Sequence, residues 1–141
     1  MLMGEYNHSL DAKGRFIVPA KLREQLGERF VVTKGLDQCL FAFPLDEWAK
    51  LEEKIQSLPL TDMRARKFSR HILAGASEME LDKQGRALLP SNLRTAAGLE
   101  KDIVLCGVGS RMEIWDKDKW SSYSLYDDME EVAENLAGLG I

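Results

Sequence analysis

Leu10-Asp11-Ala12-Lys13-Gly14-Arg15 decides the reading of this chain, because it returns as Leu81-Asp82-Lys83-Gln84-Gly85-Arg86. Both copies continue with three apolar residues and a proline, Phe16-Ile17-Val18-Pro19 and Ala87-Leu88-Leu89-Pro90. Both then reach Leu-Arg (Leu22-Arg23 and Leu93-Arg94) and a glycine (Gly27 and Gly98). The offset, 82 − 11 = 71 residues, is about half of the 141-residue chain. A repeat of this kind sets the architecture, because one short unit cannot bury its own apolar face.

Working outward, each Asp-x-x-Gly is a turn. Glycine accepts positive φ, and aspartate bonds backbone two residues on or pairs with the arginine four residues on. Asp11, Gly14, Asp82 and Gly85 are therefore read as loop architecture. Residues 15–18 are a strand by their aromatic and β-branched content. Pro19 ends it and opens a helix over 20–26, with Leu22 and Leu26 on one face and Gly27 as the stop. Strands follow at 30–33 and 39–43, around a turn at 35–38. Asp46 is read as the cap of a helix over 47–57, whose Trp48, Leu51 and Ile55 form one stripe.

The second copy repeats the pattern. Residues 78–81 lead in, as 3–9 do in the first. A strand at 86–89, a helix from Pro90 to Ala97 and strands at 103–106 and 112–115 follow, then a helix from Asp116 to Tyr126. Gly107-Val108-Gly109-Ser110 is read as the hairpin turn. After one inserted residue, Gly35 aligns with Gly107, Phe43 with Trp115, Asp46 with Asp118 and Trp48 with Trp120. Between the copies, Thr61-Asp62 caps a basic helix over 63–74. The boundaries are 1–56 for the first repeat, 57–76 for the link, 77–126 for the second repeat and 127–141 for an acidic tail, expected to fray after Glu134. Two units of about 45 residues should pack on each other about a pseudo-two-fold axis, as one domain rather than two. The class is α+β, mostly β.

Apolar residues make up 45% and charged residues 30%, the balance of a soluble globular protein. Met1 to Glu5 is no signal peptide, and no apolar run approaches about 18 residues, so no membrane span and a cytoplasmic location are expected. Cys39 and Cys106 lack any CxxC or zinc spacing and read as small buried hydrophobes. His8 and His71 stand apart from them, and no metal is expected. There is no H-E-x-x-H, G-x-S-x-G, P-loop or GxGxxG. Asp11 and Asp82 would make a catalytic pair only in a cleft that splits their pKa values. No catalytic residue, cofactor or small-molecule substrate is expected.

The net charge of −4 argues weakly against nucleic acid, but the tail carries five acids and no base, and residues 1–126 alone carry +1. Lys13, Arg15, Lys21 and Arg23 gather around the first turn and helix, and Lys83, Arg86 and Arg94 around the second. Arginine offers a planar fork suited to phosphate or guanine edges. By residue type, a solvated charged face or intrachain ion pairs such as Arg15 with Asp11 remain open.

The paired D-x-x-G-R segments with their trailing prolines, together with Gly4-Glu5-Tyr6, Arg70 and Gly75-Ala76-Ser77-Glu78, resemble the MraZ family over nearly the whole chain. The resemblance implies a fold of the AbrB/SpoVT type, with two tandem swapped-hairpin repeats forming an internal dimer in a small β-barrel with linking helices. It also implies a transcriptional regulator at the start of the bacterial division and cell-wall gene cluster, able to repress its own promoter. Such proteins bind tandem short promoter elements in double-stranded DNA, associate with the nucleoid and assemble into rings of several subunits. Carried over by position, Lys13 and Arg15 are the best DNA contacts and Arg86 the symmetric one, with Lys21, Arg23 and Lys83 beside them. The second loop shifts its lysine by one place, and Ser91-Asn92 replaces Ala20-Lys21, so the second half is expected to bind DNA less well or to serve subunit contacts. The alternative is an oligomeric protein-interaction scaffold without specific DNA binding, docking partners through the basic 64–70 helix and the acidic tail.

Overall fold

The repeat folds as a repeat. The computed structural model describes residues 1–125 and 128–140. The first half runs β1 (Leu2–Ser9), β2 (Arg15–Ile17), α1 (Ala20–Leu26), β3 (Arg29–Lys34), β4 (Leu40–Pro44) and α2 (Leu45–Gln56). Next, α3 (Met63–Ser69) runs into a π-helical turn, Arg70–Ala74. The second half runs β5 (Ser77–Glu80), β6 (Arg86–Leu88), α4 (Ser91–Ala96), β7 (Asp102–Gly109), β8 (Met112–Asp116) and α5 (Lys117–Leu125). After it come α6 (Met129–Asn135) and a 3-10 turn, Ala137–Leu139.

Each half lends its first strand to the other. β1 pairs antiparallel with β7, and β5 with β3. The six-stranded sheet has the order β1-β7-β8-β4-β3-β5, which reverses onto itself when the halves are exchanged. The pseudo-two-fold axis therefore passes between β4 and β8, where Phe41 faces Glu113. It also passes through the separate β2–β6 ribbon, where Phe16 faces Ala87. These last two residues are one repeat apart, 87 − 16 = 71.

The central strands read as continuous apolar runs because both faces of the sheet are covered. One face meets the main core, with residues from all eight strands named above and from α1 and α4, including Phe16, Leu22, Phe30, Leu40, Leu93 and Leu105. The other face carries Phe41, Phe43, Val104, Cys106 and Trp115 under Trp48 and Leu51 of α2 and Trp120 of α5. The aligned aromatics pack alike, Phe43 on Trp48 at 5.9 Å and Trp115 on Trp120 at 5.5 Å between ring centroids. Each fully buried large side chain contributes about 1.5–3 kcal/mol.

Several expectations are corrected. Gly107 and Gly109 lie in β7 rather than in a turn, because β1 extends the sheet alongside them and pairs Gly4 with Gly107. A Cβ on Gly107 would collide with the Met3 backbone nitrogen. Pro44, not Asp46, precedes the first turn of α2, and Asp46 sits inside that turn with Glu47, where carboxylates suit the helix dipole. The linking helix is two pieces: α3, capped by Asp62 through Arg64 N–H, and the π turn. Thr33 Oγ1 donates to the Ile72 carbonyl at 2.5 Å, satisfying a carbonyl of that turn. The ladders place Ile103 opposite His8 and Phe30 opposite Met79, so two residues, not one, are inserted before β7, and the following hairpin is one shorter. Past Glu134 the helix continues to Asn135 and is followed by the 3-10 turn Ala137–Leu139.

Candidate nucleic-acid interface

The two turns have the same construction. Asp11 Oδ1 accepts from the backbone N–H groups of Lys13 and Arg15, both at 2.9 Å, and Oδ2 accepts from Arg15 Nε at 2.6 Å. Asp82 Oδ1 accepts from Gln84 and Arg86 N–H at 2.9 Å, and Oδ2 from Arg86 Nε at 2.8 Å. Gly14 N–H closes back to Asp11 O and Gly85 N–H to Asp82 O, each at 3.0 Å. Gly14 (φ 86°) and Gly85 (φ 76°) hold the left-handed backbone that the turn requires. The backbone N–H of Arg15, ahead of its side chain, holds the Asp11 carboxyl down at about 2; that of Arg86 lowers Asp82 likewise. These carboxylates are fixed anions, the opposite of a proton-sharing catalytic pair.

The turns are also locked to each other. Val18 N–H donates to Gly85 O and Leu89 N–H to Gly14 O, both at 3.0 Å. Arg23 of α1 lies against Gly85, and Arg94 of α4 against Gly14, so that a Cβ on either glycine would strike the guanidinium. Arg23 Nη2 donates to Val18 O at 2.8 Å and Arg94 Nε to Leu89 O at 3.2 Å. Arg23 Nε is buried without a partner. This crossed clamp was not legible as such in the sequence, although the paired Leu-Arg after each proline marked the positions.

The candidate residues thus divide. Lys13, Lys21 and Lys83 are exposed. Arg15 and Arg86 are partly exposed, with Nε of each anchored on its own aspartate. Arg23 is partly buried and serves the join between the halves. The outer face of the ribbon brings together four side chains: Arg15 opposite Leu88, and Arg86 opposite Ile17. In the sequence Ile17 and Leu88 stand out only as members of an apolar trio. Strand alternation, with Phe16 and Ala87 turned inward, is the signal that exposes them. Among the described residues no group of three His, Cys, Asp or Glu is placed to hold a metal, and no helix is long and apolar enough to cross a membrane.

Strand-exchanged halves with paired Asp-x-x-Gly-Arg turns define a tandem swapped-hairpin protein. The family model described as "MraZ protein, putative antitoxin-like" matches residues 1–71 and again 72–138. "Transcriptional regulator MraZ" of Acetivibrio thermocellus is 59% identical over 143 residues, and that of Clostridium beijerinckii 58% over 142, each match spanning 100% of both chains. The protein of the same name from Desulfitobacterium hafniense is 59% identical over 143 residues, again across 100% of both chains. The chain belongs to the MraZ family.

Proposed function

We propose that this protein is a sequence-specific DNA-binding transcriptional regulator; the name transcriptional regulator carried by its relatives supports the regulatory part of that reading. It acts in the cytoplasm, on the nucleoid, as a repressor of the division and cell-wall gene cluster. The observation that carries the reading is the dyad: two equal turns, locked into one rigid unit, aim Arg15 and Arg86 from a single ribbon face. A duplex also has dyad symmetry, and arginine suits both its phosphates and its guanine edges. A transcriptional regulator is not a class of enzyme.

One such ribbon has a small electrostatic footprint. A ring of subunits on tandem short elements would raise affinity through effective concentration without new contacts. The exposed apolar side chains Leu58 and Leu60, between α2 and α3, and Met63 and Phe68 of α3 suit the subunit contact. The second reading is an interaction scaffold without specific DNA binding, docking partners through the basic helix around Arg64 to Arg70 and the acidic tail. Purified protein is expected to retain a duplex from upstream of its coding region above excess competitor DNA in a gel shift at moderate salt. Equal retention of competitor would sink the regulator and favour the scaffold.

A further inference from the structure

We propose, resting on the DNA-binding reading above, that Ile17 and Leu88 read bases by apolar contact with thymine methyl groups in the major groove. Both occupy strands of three residues whose central members, Phe16 and Ala87, point into the core at 1% and 0% exposure. Alternation turns their neighbours out, leaving Ile17 47% and Leu88 57% exposed. A lone exposed aliphatic needs no explanation. Here two stand at equivalent positions across the pseudo-dyad, each directly opposite one of the two turn arginines.

The surroundings favour a duplex over a second copy of this face. Asp11 and Asp82 offset Arg15 and Arg86, so the exposed Lys13 and Lys83 leave the two turns net positive. Stacking the face on itself would oppose those charges, whereas a polyanion suits them and brings its own apolar groups. In the major groove the thymine C5 methyl is the apolar feature that distinguishes the bases, and aliphatic side chains contact it. A two-stranded ribbon fits a groove about 12 Å wide. Two strand residues advance about 7 Å, close to two base-pair steps of about 3.4 Å. When Arg15 and Arg86 engage the duplex, Ile17 and Leu88 are therefore carried to the base edges. Arginines positioned by their own aspartates supply affinity, and the aliphatic pair adds discrimination.

The test uses a duplex selected by the wild-type protein from a random pool, with each thymine replaced in turn by deoxyuridine. This removes only the methyl group. At one or more positions the replacement should weaken wild-type binding about fourfold, the worth of one buried methyl-sized group. The double variant Ile17→Ser/Leu88→Ser should bind the parent duplex more weakly, keep its affinity for random duplex, and no longer distinguish thymine from deoxyuridine. Should that variant fail to fold, Ile17→Thr, polar yet β-branched, carries the same comparison. A wild type indifferent to every replacement, or a variant with unchanged sensitivity, overturns the inference; loss of binding in Arg15→Ala would still leave the regulator standing. Unchanged DNA binding with an altered subunit number would also overturn it, showing that the pair seats another chain. A selection that enriches no sequence removes both readings.

Discussion

Asp11 uses one carboxylate for two tasks, closing a turn with Oδ1 and aiming an arginine with Oδ2. Asp82 does the same in the second half. Folding lowers both carboxyls from the ordinary 3.8, Asp11 to about 2. The stabilisation is therefore complete above about pH 4 and is lost as pH falls toward 2. Thermal melts should show the wild type losing stability over that window more steeply than Asp11→Asn/Asp82→Asn, and the variant melting lower at neutral pH. Parallel curves would remove the assigned role. Gly85→Ala places a Cβ at φ 76° and against Arg23, and should cost about 1–2 kcal/mol or more by chemical denaturation. An unchanged midpoint would show that the turn relaxes freely. At this scale the sequence was informative about the turns, because Asp and Gly have intrinsic turn chemistry. It said little about Arg23, whose partner, Gly85, lies 62 residues away (85 − 23) in the other half.

The β2–β6 ribbon has three residue pairs, too few to stand alone. It persists because Phe16 and Ala87 on the dyad are buried in the common core and because the turns cross-link beneath it. Phe16→Ala should destabilise the protein by about 3–5 kcal/mol, measured by urea unfolding, and abolish binding through loss of the ribbon. A loss below about 1 kcal/mol would mean that the core collapses around the site. Elements bounded by proline and glycine, such as α1 and β6, were legible to within a residue. β7 was not, because Gly107 and Gly109 carry a turn signal when read locally. Only the neighbouring β1, whose backbone runs against Gly107, explains a glycine in mid-strand. The π turn was likewise invisible, since its supports, Thr33 and the Gly35 carbonyl bonded to His71 Nε2, belong to a distant strand and loop.

The molecule as a whole is an internal dimer that cannot be cut. With β1 completing the second half and β5 the first, residues 1–71 alone leave β1 without a partner and one edge of β3 open, its other edge still held by β4. That fragment should show no folded monomer by circular dichroism with light scattering; a monomer with native-like spectra would contradict the strand exchange. The pseudo-dyad was visible in the repeat itself, but the exchange was not, since sequence order does not say which half a strand joins. The proposed function at this scale rests on two arginines on one ribbon face, Arg15 and Arg86. Their ion pairs with Asp11 and Asp82 are partly exposed and contribute little to stability, so removing them tests recognition rather than folding. Fluorescence anisotropy on the upstream duplex should show Arg15→Ala losing about tenfold or more in affinity while its melting curve stays close to that of the wild type. Wild-type affinity in that variant, at the same salt, would contradict the claim that the paired turns exist to hold DNA.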